Sequence, residues 1–220
     1  MYFIYIKVIQ NIQKSITIQI IFFKFVILFS DGINMNVIIK KLTDDSKQIY
    51  DVQNFLFKMI KKEFGYDYVP EWHHDVVNLE EYYIRPEKNN FFVAYTETGE
   101  IIATIGIRAY DKNFPEFKHL YSQDTTSSIW RLFVDRRCRR CGLASKMFSI
   151  AENFANEVGY DDIYLHTHKN LDGAIKFWTK MGFVVVLDAE DDLETVHMDK
   201  EIQELEITSQ TIQMKHAVKL

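Results

Sequence analysis

The chain has 220 residues, of which 47% are hydrophobic and 15% aromatic, and this suits one globular domain with a sizeable core. Its formal net charge is −5; residues 1–34 hold three lysines and one aspartate, which is +2 and leaves −7 for the rest. An acidic body argues against a protein that binds nucleic acid through a broad basic face.

The first 34 residues contain the apolar stretch ITIQIIFFKFVILFS. Lys24 interrupts it, so no uncharged run is long enough for a stable membrane span. A basic start before an apolar stretch leaves a signal peptide as an alternative, although the usual cleavage pattern is absent. We expect residues 1–34 to be an apolar leader or extension outside the domain. The next residues, MNVIIKKLTDD, are typical of the start of a domain, which we predict over 35–200, with a C-terminal tail over 201–220.

Apolar periodicity and turn residues predict the elements that follow. In chain order they are a strand at 36–42, a helix that Thr43 caps and Gly65 ends, a short helix after a turn at Pro70, a hairpin at 90–110 that turns at Thr98-Gly99, and a loop at 111–126. A strand at 127–134, a helix at 143–158, a strand at 162–168, a helix at 174–181, a buried strand FVVVL and a final strand LETVHM complete the domain. This order predicts an α/β fold in which helices cover both faces of a mixed sheet.

The cluster RRCRRCGLA, residues 136–144, lies where the strand at 127–134 meets the following helix. The first N–H groups of a helix have no internal partners and carry partial positive charge, so they attract anions. Gly142 lets a ligand approach the backbone, and nearby arginines add charge-assisted hydrogen bonds. The composition suits a pyrophosphate; the alternative is an ordinary basic turn whose arginines are solvated. The P-loop and dinucleotide-binding patterns are both absent.

Cys138 and Cys141 are the two cysteines of the chain, spaced C-x-x-C. A structural zinc site needs four ligands, and no second cysteine pair exists; His166 and His168, two residues apart on a strand, are poorly placed to complete one. We therefore expect no metal. Arginines between the cysteines disfavour a thioredoxin-like redox role. Two free thiols in a reducing cytosol are favoured, which predicts a cytoplasmic location.

Residues 139–144, RRCGLA, resemble the R-x-x-G-x-[GA] signature of the GNAT N-acetyltransferase superfamily. Residues 174–183, AIKFWTKMGF, resemble that family's second block, A-I-x-F-Y-x-x-x-G-F, and the resemblance covers roughly residues 35–200. It implies a GNAT-like mixed, largely antiparallel central sheet of about six to seven strands with helices on both faces. It also implies acetyl-CoA as cosubstrate. The cofactor-binding residues implied are Leu132, Phe133, Val134, Arg139, Arg140, Cys141, Gly142, Leu143, Ala144, Asn170 and Phe177.

The resemblance also implies a geometry for the site. The strand at 127–134 would splay from the strand at 162–168, with the pantetheine arm in the gap and the pyrophosphate on the N–H groups of residues 139–144. A backbone N–H near Val134 would polarise the thioester carbonyl. The implied activity is direct transfer of an acetyl group from acetyl-CoA to a primary amine in a ternary complex.

Two positions depart from the family pattern. Trp178 stands where the family often places the tyrosine that acts as the acid, and an indole N–H does not deliver a proton to a thiolate. The family's asparagine position is Leu171 here, and Asn170 is one place away. The catalytic acid and base are therefore unassigned; His166 and His168 are candidates, with hydrogen-bonded strand histidines as the alternative reading. A CoA-binding sensor or interaction module with weak turnover is the alternative function.

Residues 66–83 are rich in aromatic and acidic side chains and, by resemblance, line the acceptor side. The side chains that would face the cleft are Tyr66, Tyr68, Glu71, Trp72, Asp75, Glu80 and Glu81, with His73 and His74 beside them; the alternative is a solvated amphipathic helix. Aromatic faces and carboxylates attract ammonium groups, so we expect a small-molecule or peptide amine acceptor. A lysine side chain on a protein stays open as an acceptor, and a homodimer is compatible with the sequence.

Overall fold

The computed structural model describes residues 23–28, 34–112 and 114–202, and its centre is an eight-stranded sheet. The strands are β1 (Phe23–Leu28), β2 (Asn34–Lys41), β3 (Asn90–Thr96), β4 (Ile101–Ala109), β5 (Thr126–Val134), β6 (Asp162–His168), β7 (Val184–Asp188) and β8 (Thr195–Glu201). The helices are α1 (Ser46–Phe64), α2 (Pro70–Val77), α3 (Leu143–Glu157) and α4 (Ala174–Lys180), and short helical turns span Glu80–Ile84, Pro115–Phe117 and Arg136–Cys138.

The strand order is β1-β2-β3-β4-β5-β6-β8-β7, and β5 and β6 are parallel whereas the other neighbours are antiparallel. The prediction of a mixed, largely antiparallel α/β sheet is confirmed. Strands β2 to β8 are the seven that the sequence led us to expect.

Strand β1 adds an eighth strand from within the segment predicted to be a leader. It pairs antiparallel with β2 along its whole length, from Phe23 opposite Ile39 to Leu28 opposite Asn34. Part of residues 1–34 thus extends the sheet of the domain, and the boundary at residue 35 stays a prediction. The rest of that segment, and the predicted tail after residue 202, lie outside the described residues.

Helices cover both faces of the sheet, as predicted. Side chains on a strand alternate between the two faces, so Phe91 and Val93 of β3 pack in the layer of α1 and α2, whereas Phe92 and Ala94 pack in the layer of α3. Along α1 the buried residues recur at helical spacing: Val52, Leu56, Met59 and Ile60. No helix within the described ranges has both the length and the apolar character that crossing a bilayer requires.

The start of α1 differs from the prediction. Asp45, rather than Thr43, is the cap, and its carboxylate accepts the N–H of Gln48 at 2.7 Å. Thr43 instead contacts the Gln48 side chain, whose oxygen accepts the Thr43 N–H at 2.9 Å. Asp45 lies three residues before Gln48, which is the spacing that lets a side-chain oxygen reach a free amide of the first turn. Gly65 ends the helix at a φ of 78°, as predicted.

The prediction that FVVVL forms a buried strand is wrong in its burial. The strand forms as β7, but Val184 and Val185 are 60% and 52% exposed. The physical reason is topological: β7 pairs with β8 alone and closes one end of the sheet order. An apolar run does not by itself distinguish a central strand from an edge strand.

Candidate functional site

A gap opens between the parallel strands β5 and β6. They pair only at their first three positions, from Thr126 opposite Asp162 to Ser128 opposite Tyr164. Farther along, within the described residues, β5 pairs with β4 on one side and β6 with β8 on the other. The facing edges of residues 129–134 and 165–168 therefore have no strand partner, and the expected splay is confirmed.

A bulge in β5 lies where the strands diverge. Gly106 of β4 is opposite Trp130 and Thr104 is opposite Phe133, so the single residue between the two on β4 faces Arg131 and Leu132. Arg131 has a φ of 49°, in the left-handed region that residues with a side chain seldom adopt. The hydroxyl of Thr104 donates to the Arg131 carbonyl at 2.9 Å. Because a bulge bends its strand and increases the local twist, this one contributes to the divergence of β5 from β6.

A buried ion pair fixes the bulge to α2. The Arg131 guanidinium donates through Nε to Oδ2 of Asp75 at 3.0 Å and through Nη2 to the Trp72 carbonyl at 2.6 Å. The Tyr83 hydroxyl donates to the same Asp75 oxygen at 2.8 Å. Burial alone would raise the pKa of Asp75, but the hydrogen bonds and charge of Arg131 more than offset burial and hold that pKa below its usual range. Asp75 is therefore an ionised carboxylate already neutralised by Arg131.

Helix α3 begins beside the gap with unpaired main-chain donors. Gly142 caps it at a φ of 83°, and nothing lies within 4 Å of the position that a Cβ would take there. Lys146 donates its N–H to the Gly142 carbonyl at 3.0 Å. The N–H groups of residues 140–145 reach no acceptor among the described residues. A set of free amides at a helix start is suited to an anion.

Three of the four arginines in the preceding turn are already paired within the protein. Arg136 and Arg139 contact Glu63 of α1, with Nε–Oε1 and Nη2–Oε1 distances of 3.1 and 2.9 Å, and Arg137 contacts Asp135 at 3.1 Å. Arg140 is exposed and pairs with no residue in the described ranges. The main-chain amides and Arg140, rather than the whole arginine cluster, are thus the groups available to a ligand.

The two cysteines are free thiols in this turn. Cys138 is buried, and the Cys141 thiol donates to the Cys138 carbonyl at 2.7 Å. Burial raises the pKa of the Cys138 thiol, which disfavours the thiolate. No cluster of three or more metal-ligating side chains occurs in the residues that the structure describes.

The other predicted cofactor-binding residues take different places around the gap. Leu132 and Val134 pack in the core layer of α3, whereas Phe133 faces the opposite layer with its ring centroid 6.2 Å from that of Phe64. Phe177 is half-buried on α4, and Asn170 is exposed in the loop between β6 and α4. The structure therefore brings the β5 residues and the start of α3 together, and leaves Asn170 in solvent.

Trp178 is a core residue. It is 7% exposed, and its ring centroid lies 5.6 Å from that of Phe148 and 5.2 Å from that of Phe183. An indole packed among phenylalanine rings has no path for proton delivery into the gap.

His166 lies on the edge of the gap, on the α1–α2 face of the sheet, with its ring centroid 5.8 Å from that of Trp130. Burial, and then the positive charge of Lys112, lower its pKa well below the ordinary value. The imidazole is therefore neutral at pH 7, and the same lowered pKa makes it a weak base. The Nδ1 of its neighbour His168 lies 3.0 Å from the Leu193 carbonyl, which is the contact of a structural histidine.

Two of the four carboxylates expected on the acceptor side are paired with arginines, whereas Glu71 and Glu81 are exposed. Asp75 is paired with Arg131, and Glu80 accepts from Arg85 at 3.0 Å. Basic side chains instead surround Trp130: the guanidinium carbon of Arg108 is 3.9 Å from its ring centroid and the Lys112 ammonium is 4.2 Å away. The sequence patterns did not predict this cluster. An arginine within the apolar run of β4 was the one signal that could have revealed it.

We expect stability to fall as the pH drops below about 6.5, the ordinary histidine pKa. Burial lowers the pKa of His73, His166 and His197, so all three are neutral in the folded protein and bind protons when it unfolds. Since the unfolded chain binds more protons between the lowered pKa values and 6.5, stability rises with pH in that window. Each histidine contributes at most about 1.4 kcal/mol per pH unit.

Urea unfolding at pH 7.5, 6.5 and 5.5 measures this dependence. His166→Gln should reduce the slope of the unfolding free energy against pH by close to the contribution of one proton, because glutamine does not titrate. An unfolding free energy that stays constant over these pH values contradicts the burial of neutral histidines.

Residues 54–183 match the family model described as Acetyltransferase (GNAT) family. The match spans more than half of the chain, and the chain belongs to this family. The description of this family names its members acetyltransferases.

Named relatives and solved structures agree with this membership. The chain is 45% identical over 104 residues to the Drosophila melanogaster "Probable N-acetyltransferase san", covering 44% of this chain and 54% of that protein. It is 27% identical over 111 residues to the Rattus norvegicus "N-acetylaspartate synthetase", covering 50% of this chain and 33% of that protein. The chain thus spans about half of the first relative and a third of the second.

The fold is shared with an acetyltransferase of the GNAT family from Staphylococcus aureus Mu50, at a TM-score of 0.60 and 19% identity, covering 75% of this chain and 99% of that one. An acetyltransferase from Streptococcus agalactiae 2603 gives a TM-score of 0.61 at 18% identity, covering 75% and 98%.

Proposed function

We propose that the protein transfers an acetyl group from acetyl-CoA to a primary amine, with both substrates bound together in the gap between β5 and β6. The observation that carries this proposal is the adjacency of two sets of free main-chain groups. One is the edge of β5 beyond Ser128, and the other is the row of amides at the start of α3. Because the free edge of β5 leads directly to the free amides of α3, the two together suit a ligand that has an amide-bearing arm and a diphosphate.

The residues present fit acetyl-CoA. The amides of residues 142–145 would hold the diphosphate, with Arg140 as the free cation beside them. The edge of residues 132–134 would pair with the amide groups of the pantetheine arm. When bound, acetyl-CoA supplies the thioester whose acetyl group is transferred. Asn170, in the loop after β6, and Phe177, on α4, are proposed as peripheral contacts.

The chain's own groups account for the remaining requirements of the reaction. Holding an amine and a thioester in one cleft supplies much of the rate through orientation. Main-chain N–H groups on the free edge of β5 near Val134 would stabilise the charge that develops on the carbonyl oxygen. The proton that the amine loses as the C–N bond forms would pass to water in the gap, since the lowered pKa of His166 makes this neighbouring imidazole too weak a base to hold it at pH 7. The CoA thiolate leaves as the C–S bond breaks and takes its proton from water, since its pKa lies near that of an ordinary thiol, about 8.5.

The names of the relatives support an amine acceptor. The Drosophila melanogaster relative is named as an N-acetyltransferase, and the rat and human relatives are named for the synthesis of N-acetylaspartate, an N-acetylated amino compound. We propose a small-molecule or peptide amine for this chain as well.

Release of CoA thiol with a panel of primary amines tests the proposal. We expect turnover that requires both acetyl-CoA and an amine, and that follows sequential rather than ping-pong kinetics, because the amine attacks the thioester directly. Equilibrium binding of acetyl-CoA, measured in parallel by calorimetry, separates the alternatives. Tight binding without turnover on any amine would favour a CoA-binding sensor, and no binding would refute the assignment of the gap.

A further inference from the structure

Three basic side chains converge on the ring of Trp130, the residue that immediately precedes the bulge in β5. The guanidinium carbon of Arg108 lies 3.9 Å from the ring centroid, the Lys112 ammonium 4.2 Å and the guanidinium carbon of Arg131 5.8 Å. Asp111 pairs with Arg108 at 3.0 Å, and Asp75 pairs with Arg131. Lys112 forms no ion pair with any residue in the described ranges, so the cluster carries one uncompensated positive charge.

The same cluster contains buried donors that have no acceptor. The Arg108 side chain is 6% exposed, and neither its Nε nor its Nη1 meets an acceptor in the part of the chain that the structure describes. The indole Nε1 of Trp130 is buried and unpaired in the same way. Folded proteins seldom leave such donors unsatisfied, because each one forfeits its hydrogen bonds to water on burial. Unpaired donors on a charged group next to a cleft point to an acceptor that arrives with a ligand.

The position of the cluster identifies which ligand this is. Trp130 is 5.8 Å from His166, centroid to centroid, on the α1–α2 face of the sheet and at the point where β5 and β6 separate. The amides that would hold the diphosphate lie instead at the start of α3, after β5 has ended. The Trp130 cluster is therefore beside the reacting amine rather than beside the coenzyme diphosphate.

We propose that the acceptor is a small amino acid whose carboxylate is bound by Lys112 and Arg108 over the ring of Trp130 while its amine reaches His166. This proposal rests on the acetyl transfer proposed above and names its substrate class. The carboxylate matches the single positive charge that the protein leaves uncompensated, and its oxygens accept from the free Arg108 and Trp130 donors. Because those donors are covered in the free protein, the ligand displaces a side chain to reach them.

The titration of Lys112 is consistent with this role. Burial lowers its pKa, and although Asp111 opposes that effect, Arg108 reinforces it. A carboxylate bound beside the ammonium would raise that pKa again.

Initial rates with matched pairs of acceptors test the proposal. Each of the acids glycine, β-alanine and aspartate is paired with a derivative in which an amide replaces a carboxylate. Both members of each pair are assayed with the wild type, Lys112→Gln and Lys118→Gln. Lys118 is an exposed lysine of the same loop whose side chain has no partner in the described ranges, so its variant is the matched control. In Lys112→Gln we expect the KM of the acids to rise about 10- to 100-fold, the range for losing a hydrogen bond to a charged group. The KM of the amides and of acetyl-CoA should not change.

The outcomes separate this proposal from the proposed function. Turnover in which amides match the acids in the wild type, or in which Lys112→Gln affects both alike, overturns the carboxylate site and leaves acetyl transfer standing. If no amine is turned over, acetyl transfer itself fails, and calorimetry on CoA-saturated protein then decides the site. The carboxylate site is supported if the acids bind the wild type and Lys118→Gln but lose affinity in Lys112→Gln. It is refuted if acids and amides bind equally well.

Discussion

Replacing Gly142 by glutamate is expected to weaken acetyl-CoA binding roughly 100- to 1000-fold. The open space around Gly142 leaves room for the new side chain beside the free amides of α3, so its carboxylate would lie where the diphosphate is expected. Two like charges about 4 Å apart near a protein surface repel by about 4 kcal/mol, which corresponds to about three orders of magnitude in affinity. Calorimetric titration with acetyl-CoA gives the dissociation constants directly.

Gly142→Gln is the matched control for this substitution. Any residue with a side chain at a φ of 83° costs about 1–2 kcal/mol in stability, and glutamine incurs the same cost as glutamate without the charge. We expect glutamine to weaken binding much less than glutamate, and added salt to narrow the difference between them. If the glutamate variant binds acetyl-CoA within threefold of the wild type, the diphosphate does not lie on these amides.

The strand, turn and helix that build this anion site were predictable because their signals are local. The apolar run at 127–134, the glycine at position 142 and the helical spacing after it lie within about thirty residues, and each has its own physical cause. The same holds for the end of α1 at Gly65 and the hairpin turn at Gly99, since a left-handed backbone conformation favours glycine. Local chemistry also predicted that β5 leads into the site.

Pairings between distant residues were not predictable in the same way. Glu63 occupies two of the arginines of the turn, although more than seventy residues separate them in sequence. Asp75 was expected in an acidic acceptor side, yet it neutralises Arg131 across 56 residues. The sequence shows which residues are charged, but not which of them form ion pairs in the folded protein. Consequently the sequence overstated both the positive charge of the turn and the negative charge of the acceptor side.

Edge positions and bulges escaped prediction for a related reason. The apolar pattern of β7 is the same whether the strand lies at the centre or at the end of a sheet, and only the strand order shows that it is an edge. The bulge at Arg131 has no sequence signature either, because its left-handed backbone conformation depends on contacts with Thr104 and Asp75. The features that shape the gap between β5 and β6 are thus tertiary in origin.

Removing the carboxylate of Asp75 by Asp75→Ala is expected to destabilise the fold by about 3–5 kcal/mol. The Arg131 side chain is only 13% exposed and would keep its charge without a partner, which is the costly way to break a largely buried ion pair. Tyr83 would also lose the acceptor of its hydroxyl. Such a loss is a large share of the 5–15 kcal/mol that typically separates folded from unfolded states. Urea denaturation followed by circular dichroism measures it.

Two comparisons isolate the cause of that loss. Asp51→Ala breaks the exposed pair between Lys47 and Asp51 and should cost far less than Asp75→Ala, because solvent screens an exposed pair. The double variant Asp75→Leu with Arg131→Met removes both charges and should recover much of the stability lost in Asp75→Ala, because replacing a buried pair by apolar side chains is often neutral or stabilising. Since that variant also removes the contacts that hold the bulge, its turnover should fall even where its stability returns. If Asp75→Ala and Asp51→Ala lower the free energy of unfolding equally, the Arg131 charge is not buried. The claim that α2 anchors the bulge through this ion pair would then be wrong.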